Sequence, residues 1–171
     1  MVIQTPGCNR MDSHFFIERL LKTDPDYMTT FIRIVGGVII FPYGQQKLLG
    51  WWEDFGGGVG TRESLEQFKR KNIPAIIAWL VILSQSLGSV ALIIGFGGRL
   101  AAAANFIIFT GALLHHLPDG WVMNWTGKKR GEGVEYFVLL LSLLLITVIE
   151  GSGACSIDHW IYQILEHTET K

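Results

Sequence analysis

Hydrophobic and polar positions along this chain alternate in blocks of about 20 residues rather than with single helical turns. Four apolar blocks stand out, from about Thr30 to Leu49, Pro74 to Phe96, Leu100 to Leu117 and Gly133 to Glu150. A helix rising about 1.5 Å per residue needs about 20 residues to cross about 30 Å of hydrocarbon. The second block meets that length without a charge, whereas the third and fourth need His, Glu or Arg at the interface. Together the blocks leave little polar face for water. The pattern therefore predicts an all-α integral membrane four-helix bundle over residues 29–160, preceded by a polar N-terminal extension (1–28) and followed by a tail (161–171).

The connections add short amphipathic helices. "TRESLEQFKRKN" offers Ser64 as an N-cap with Gln67 three residues on, and places Leu65 and Phe68 on one face, so a helix on the membrane surface is expected to end before Pro74. "SHFFIERLLKT" reads as a second, in the N-terminal extension. That extension lacks the apolar core of a signal peptide. The glycine run "FGGGVG" lacks the Gly-Lys-Ser/Thr and the preceding strand of a phosphate loop and reads as a flexible turn. Pro42 is expected to bend the first span and free a carbonyl near its middle. Gly36, Gly37, Gly88, Ala101 to Ala104 and Gly111 are read as small residues that let helices approach.

Composition agrees. Of 171 residues, 49% are hydrophobic and 17% charged, with a mean hydropathy of +0.34, which is more apolar than a water-soluble domain. A net charge of −1 provides no global field for nucleic acid. The two cysteines, Cys8 and Cys155, have no zinc or CxxC spacing; they are either two free thiols or one long-range disulfide. Four spans put both termini on one side of the bilayer. Trp51, Trp52, Trp121 and Trp125 then fall at the opposite interface and Trp160 at the first, as an aromatic belt requires. Arg62, Lys69, Arg70, Lys71, Lys128, Lys129 and Arg130 favour a cytoplasmic position for the connections, against Arg10, Arg19, Lys22, Arg99 and Lys171 on the side of the termini.

Polar residues inside a membrane are costly and call for a role. The topology sorts them into two layers, each holding both signs of charge. Arg33, Arg99, Glu150 and Asp158 lie toward the termini, where anion binding or structural ion pairing, Arg33 with Glu150 or Asp158, is expected. Gln45, Gln46, Lys47, His115, His116 and Glu135 lie toward the connections. Gln85 is about midway along the second span, available for an interhelical hydrogen bond or a ligand contact. Adjacent helical residues diverge by about 100°, so His115 and His116 cannot both address one small centre. The other histidines, His14, His159 and His167, fall on the far side, which disfavours a haem held within one subunit. Glu132 and Glu135 are near, but no HExxH or ExxH spacing occurs, so no metal is expected. An imidazole at the membrane edge near Lys47 and Glu135 can hydrogen-bond a carbonyl and exchange protons near neutral pH, as a quinone head group requires; satisfaction by backbone or lipid fits the spacing equally well.

Five stretches occur in an order that resembles the DoxX family, and more narrowly its DoxD-like branch, over roughly residues 30–160: "RIVGGVIIFPYGQQKLLG", "NIPAIIAWLVILSQSLGSVALIIGFGGRLAA", "HHLPDGW", "GEGVEYFVLLL" and "GSGACSIDHW". The resemblance implies a four-helix membrane protein of the kind found as a small subunit of thiosulfate:quinone oxidoreductase or described with terminal quinol oxidases. The matching positions are Arg33, Gly44, Lys47, Gly88, Gly95, Arg99, His115 or His116, Gly120, Glu135 and Asp158. Gln85 departs from the glutamate expected in many relatives, and a neutral amide carries no proton.

Two functions follow as expectations. In the first, the chain is a redox subunit that passes electrons from a reduced sulfur compound to quinone. Lys47 and His115 or His116 hold the quinone oxygen, Glu135 orients the histidine, and Gln45, Gln85 and Trp121 lie close to the ring. With no flavin, haem or iron–sulfur motif in the chain, electrons transfer directly or a partner subunit carries the cofactor. In the second, the chain is a non-catalytic anchor or assembly module. Only the first predicts a quinone-sized cavity open to lipid beside Lys47 and His115.

Overall fold

A computed structural model describes residues 21–52, 59–128, 131 and 133–169. Their helices are α1 (Tyr27–Leu49), α2 (Gly60–Arg70), α3 (Ala75–Ile94), α4 (Gly98–His116), α5 (Glu135–Glu150) and α6 (Ile157–Glu169), with a 3-10 turn at Leu117–Asp119 after α4. Among the described residues there is no strand.

Local chemistry sets the ends. Asp26 caps α1, its carboxylate accepting from the amides of Met28 (3.2 Å) and Thr29 (2.8 Å). Those bonds, Thr29 first, hold the Asp26 carboxyl below the usual carboxylate range. Gly50 (φ 76°) ends α1 and Gly95 (φ 73°) ends α3 in the left-handed region, where glycine carries no Cβ penalty. The first span thus starts three residues before the apolar block, because Asp26 nucleates it there. Pro42 lies within a continuous α1.

The long helices α1, α3, α4 and α5 pack in that order around a closed ring, with α5 returning to α1 and α2 lying against α1 and α3. Ile40, Leu92, Ala102, Phe109, Leu140 and Leu144 form the apolar core. The outer faces are apolar as well, with Ile76, Leu80, Leu87, Ile107 and Leu139 exposed. An apolar exterior around buried glutamines, serines and asparagine is the arrangement lipid demands. Three helices, Tyr27–Leu49, Ala75–Ile94 and Gly98–Asp119 with its turn, are long and apolar enough to cross a membrane. The fourth, α5, has 16 residues, a length of about 24 Å.

Some expectations shift. Ser64 does not cap α2, which begins a turn earlier after Val59; Ser64 is buried inside it and donates to the Lys47 carbonyl (3.4 Å), beside a bond from Thr61 to the Leu48 carbonyl (2.9 Å). The helix therefore docks onto the end of α1 by its hydroxyl face. Residues 161–169, read as a tail, continue α6. The N-terminal amphipathic helix up to residue 20, the glycine run at 55–58, Cys8 with its disulfide alternative, Lys129, Arg130 and Glu132 lie outside the described residues.

Candidate functional site

The layer near the termini is a set of helix-end clamps. The last carbonyls of a helix and the first amides of the next have no partner of their own. Arg33, 1% exposed, donates through Nε to the Ser152 carbonyl (2.7 Å), through Nη1 to the carbonyls of Leu92 and Ile93, and through Nη2 to the Cys155 carbonyl (2.7 Å). Asp158, 2% exposed, accepts from the amides of Gly97 (2.7 Å) and Gly98 (2.9 Å) and from the Ser152 hydroxyl (2.5 Å). Arg99 donates to Val148 (2.7 Å), Ile149 (2.5 Å) and Lys22 (3.0 Å) carbonyls.

Cations thus sit on the C-termini of α3 and α5, and an anion on the N-terminus of α4, as the helix dipoles favour. The expected ion pair of Arg33 with Glu150 or Asp158 is replaced by carbonyl capping, because the helix ends offer more unpaired acceptors than any carboxylate. Glu150 is exposed and shares only a shallow charged pocket of about 260 Å³ with Arg99. Arg33 has little donor capacity left for an anion. Asp158→Asn keeps the size but turns an amide N–H toward backbone N–H groups. A loss of about 1–3 kcal/mol is expected, read as a lower unfolding midpoint in detergent, with Glu150→Gln unchanged.

The layer near the connections is aromatic. His116 faces α5, with Nδ1 2.7 Å from the Asp119 carboxylate and its ring stacked on Phe137 (5.4 Å between centroids, 12° between planes). Phe137 touches Phe109 and Tyr136, and Tyr136 lies 6.5 Å from Tyr43. Lys47 extends over the Tyr43 ring (5.9 Å) and donates to the Tyr43 carbonyl (3.3 Å). A row of rings therefore runs Tyr43, Tyr136, Phe137, His116. The Tyr136 hydroxyl is buried and has no hydrogen-bond partner among the described residues.

These contacts sort the expected residues. His116 turns inward and His115 outward, exposed, its ring edge-on to His116. Asp119, not Glu135, orients the imidazole: it comes three residues later on the 3-10 turn, while Glu135 starts α5 with its amide bonded to the Trp121 carbonyl (3.1 Å). Lys47 is kept from His116 by the intervening rings. Trp121 is 60% exposed. Gln45 donates to the Ser86 carbonyl across α1 and α3 (3.2 Å). Gln85 makes no interhelical bond through its oxygen. Asp119 carries one signal in the sequence, its place in "HHLPD" within reach of His116, whereas Tyr43, Tyr136 and Phe137 carry none apart from being aromatic. The charged pocket above and an open apolar groove of about 460 Å³ between α3 and α4, lined by Leu87, Gly88, Ala91, Ile94, Phe96 and Leu100, both lie away from Lys47 and His115.

A ring of apolar helices, clamped at one end by the buried Arg33 and Asp158 and the partly exposed Arg99, defines a small integral membrane protein. Within that class the chain belongs to the DoxX family, whose model matches residues 28–117, the stretch from α1 to the end of α4. No curated protein and no solved structure matches the chain at a significant level.

Proposed function

We propose that the protein is the membrane subunit of a quinone-linked oxidoreductase of the DoxD-like kind, passing electrons from a reduced sulfur compound such as thiosulfate to quinone. The Tyr136 hydroxyl carries this reading. A buried O–H donor with no acceptor is costly in an apolar interior unless a guest supplies one. A quinone head group is a flat ring with two carbonyl acceptors, and here one turn of α5 offers that hydroxyl together with the ring of Phe137 stacked on His116. Held by Asp119 at the membrane edge, His116 can pass a proton inward.

The reaction balances as two thiosulfates joining through a new S–S bond to give tetrathionate and two electrons, with quinone taking those electrons and two protons to become quinol. Electrons arrive directly from the sulfur donor or through a partner subunit. The exposed cations Lys69, Arg70 and Lys71 support a place in the cytoplasmic membrane with the connections inside.

Quinol formation by the purified protein, with thiosulfate and related donors, tests the reading. His116→Ala and Tyr136→Phe are expected to lower turnover by roughly 10²-fold or more, while His115→Ala leaves it unchanged. Neither the apolar groove between α3 and α4 nor the charged pocket beside Arg99 adjoins this cluster, which favours the second reading, a non-catalytic anchor or assembly module. Absence of turnover with every donor, together with no quinone in an extract of the protein, would decide for the anchor.

A further inference from the structure

Gln85 and Asn105 face the interior of the bundle from α3 and α4 and are 6% and 0% exposed. The Asn105 amide is fixed in one orientation, because Nδ2 donates to two carbonyls, Ser84 (2.9 Å) and Ala101 (2.9 Å). Its Oδ1 is therefore an acceptor, and it has no donor among the described residues; neither does Gln85 Oε1. Both amides lie at one depth: Asn105 bonds to Ser84, and a Cβ on Gly88 would come within 2.8 Å of its Nδ2, so it spans the turn of α3 that contains Gln85. The neighbouring hydroxyls do not help. Ser86 donates to the Ile82 carbonyl (2.6 Å) and Ser89 to the Ser86 carbonyl (2.9 Å), which leaves only lone pairs facing inward.

The middle of the bundle thus holds two buried amide oxygens that no donor among the described residues reaches. Lipid has no donor to offer at this depth, and each buried acceptor left alone costs free energy. Among the described residues no carboxylate lies at this depth to neutralise a cation: Asp158, with Arg33, lies beyond Leu92, Ala102 and Leu144, three core side chains at 1% exposure or less. A small neutral molecule with two O–H donors meets the need, and water is that molecule.

We infer that the centre of the bundle holds water, bound by Asn105 Oδ1 and Gln85 Oε1 and reached from the side of the connections. Buried polar groups continue from this point along α1 and α2, at Gln45, Gln46 and Ser64, beside the core side chains Phe109 and Leu140, whereas Leu92, Ala102 and Leu144 stand between it and the buried polar groups toward the termini. The inference stands apart from the quinone reading. It gives Gln85 a role that needs no proton of its own: the amide oxygen holds a molecule whose protons exchange.

Solid-state NMR on the isotope-labelled protein in phospholipid vesicles tests this through magnetisation transfer from water to the side-chain amides. Asn105 and Gln85 are expected to build up signal several times faster than the methyl groups of Leu92 and Leu144. The wild-type comparison suffices, so the result does not depend on a variant that folds: build-up as slow as that of Leu144 overturns the bound water. Gln45→Leu is expected to slow the transfer to Asn105, and Thr147→Val, beyond the apolar layer, to leave it unchanged. The opposite pair of results overturns entry from the side of the connections.

Discussion

Arg33→Met is expected to abolish a stable bundle. The guanidinium bonds to four carbonyls, two at the end of α3 and two in the segment between α5 and α6, and is 1% exposed. Methionine fills similar volume but donates nothing, so the α3 terminus and the 152–155 backbone are left with unpaired acceptors. Hydrogen bonds to a charged group are worth about 1.5–3 kcal/mol each and do not add fully; a net loss of roughly 3–5 kcal/mol follows, comparable with the whole stability of a small domain. Lysine is not expected to rescue, because one ammonium cannot span acceptors that the planar fork of Arg33 reaches together. Thermal unfolding in detergent, with yield from membranes as a second readout, checks this. Stability of Arg33→Met within about 1 kcal/mol of wild type, the size of an ordinary mutational effect, would show that water or lipid caps these ends equally well.

Gly44→Val is expected to be nearly as severe. A Cβ on Gly44 would collide with the backbone of Gln85 and Ser86, where α1 crosses α3 most closely. Backbone cannot turn aside as a side chain can, so the two helices must separate, and the Gln45 bond to Ser86 one residue away is lost with them. Overpacking costs typically 1–3 kcal/mol, and a β-branched residue against backbone should reach the upper end, roughly 3 kcal/mol. Gly111→Ala is the matched control: no atom lies within 4 Å of its added Cβ, so it should fold as wild type. Equal stability of Gly44→Val and wild type would contradict the close α1–α3 crossing.

These two glycines mark what a single sequence can and cannot reveal. Gly36, Gly37, Gly88 and Gly111 all read as packing positions, yet Gly37 is tight against Leu92 and Ile93, Gly36 has only contacts at 4.0 Å, and Gly111 faces open space. Small size is visible in sequence; the neighbour that makes it necessary is not. The histidine pair follows the same logic. The 100° between successive helical residues implies that only one can face inward, but only the packing of α5 on α4 selects His116. Likewise, the two-layer sorting of polar residues was readable from topology. That Arg33 and Asp158 cap helix ends rather than pair with each other was not, because the carbonyls and amides they meet belong to every residue alike.

The apolar blocks by themselves determined the four helices, their order and the membrane environment, since lipid requires each spanning segment to satisfy its own backbone and to present an apolar surface over a fixed length. Tertiary structure alone decided which glycine is indispensable, which histidine turns inward, that Asp119 orients it, and that Gln85 and Asn105 are left with unpaired oxygens. Those outcomes depend on rotation of each helix about its axis and on contacts between residues far apart in the chain, and hydropathy, which sets depth in the membrane, is silent about rotation.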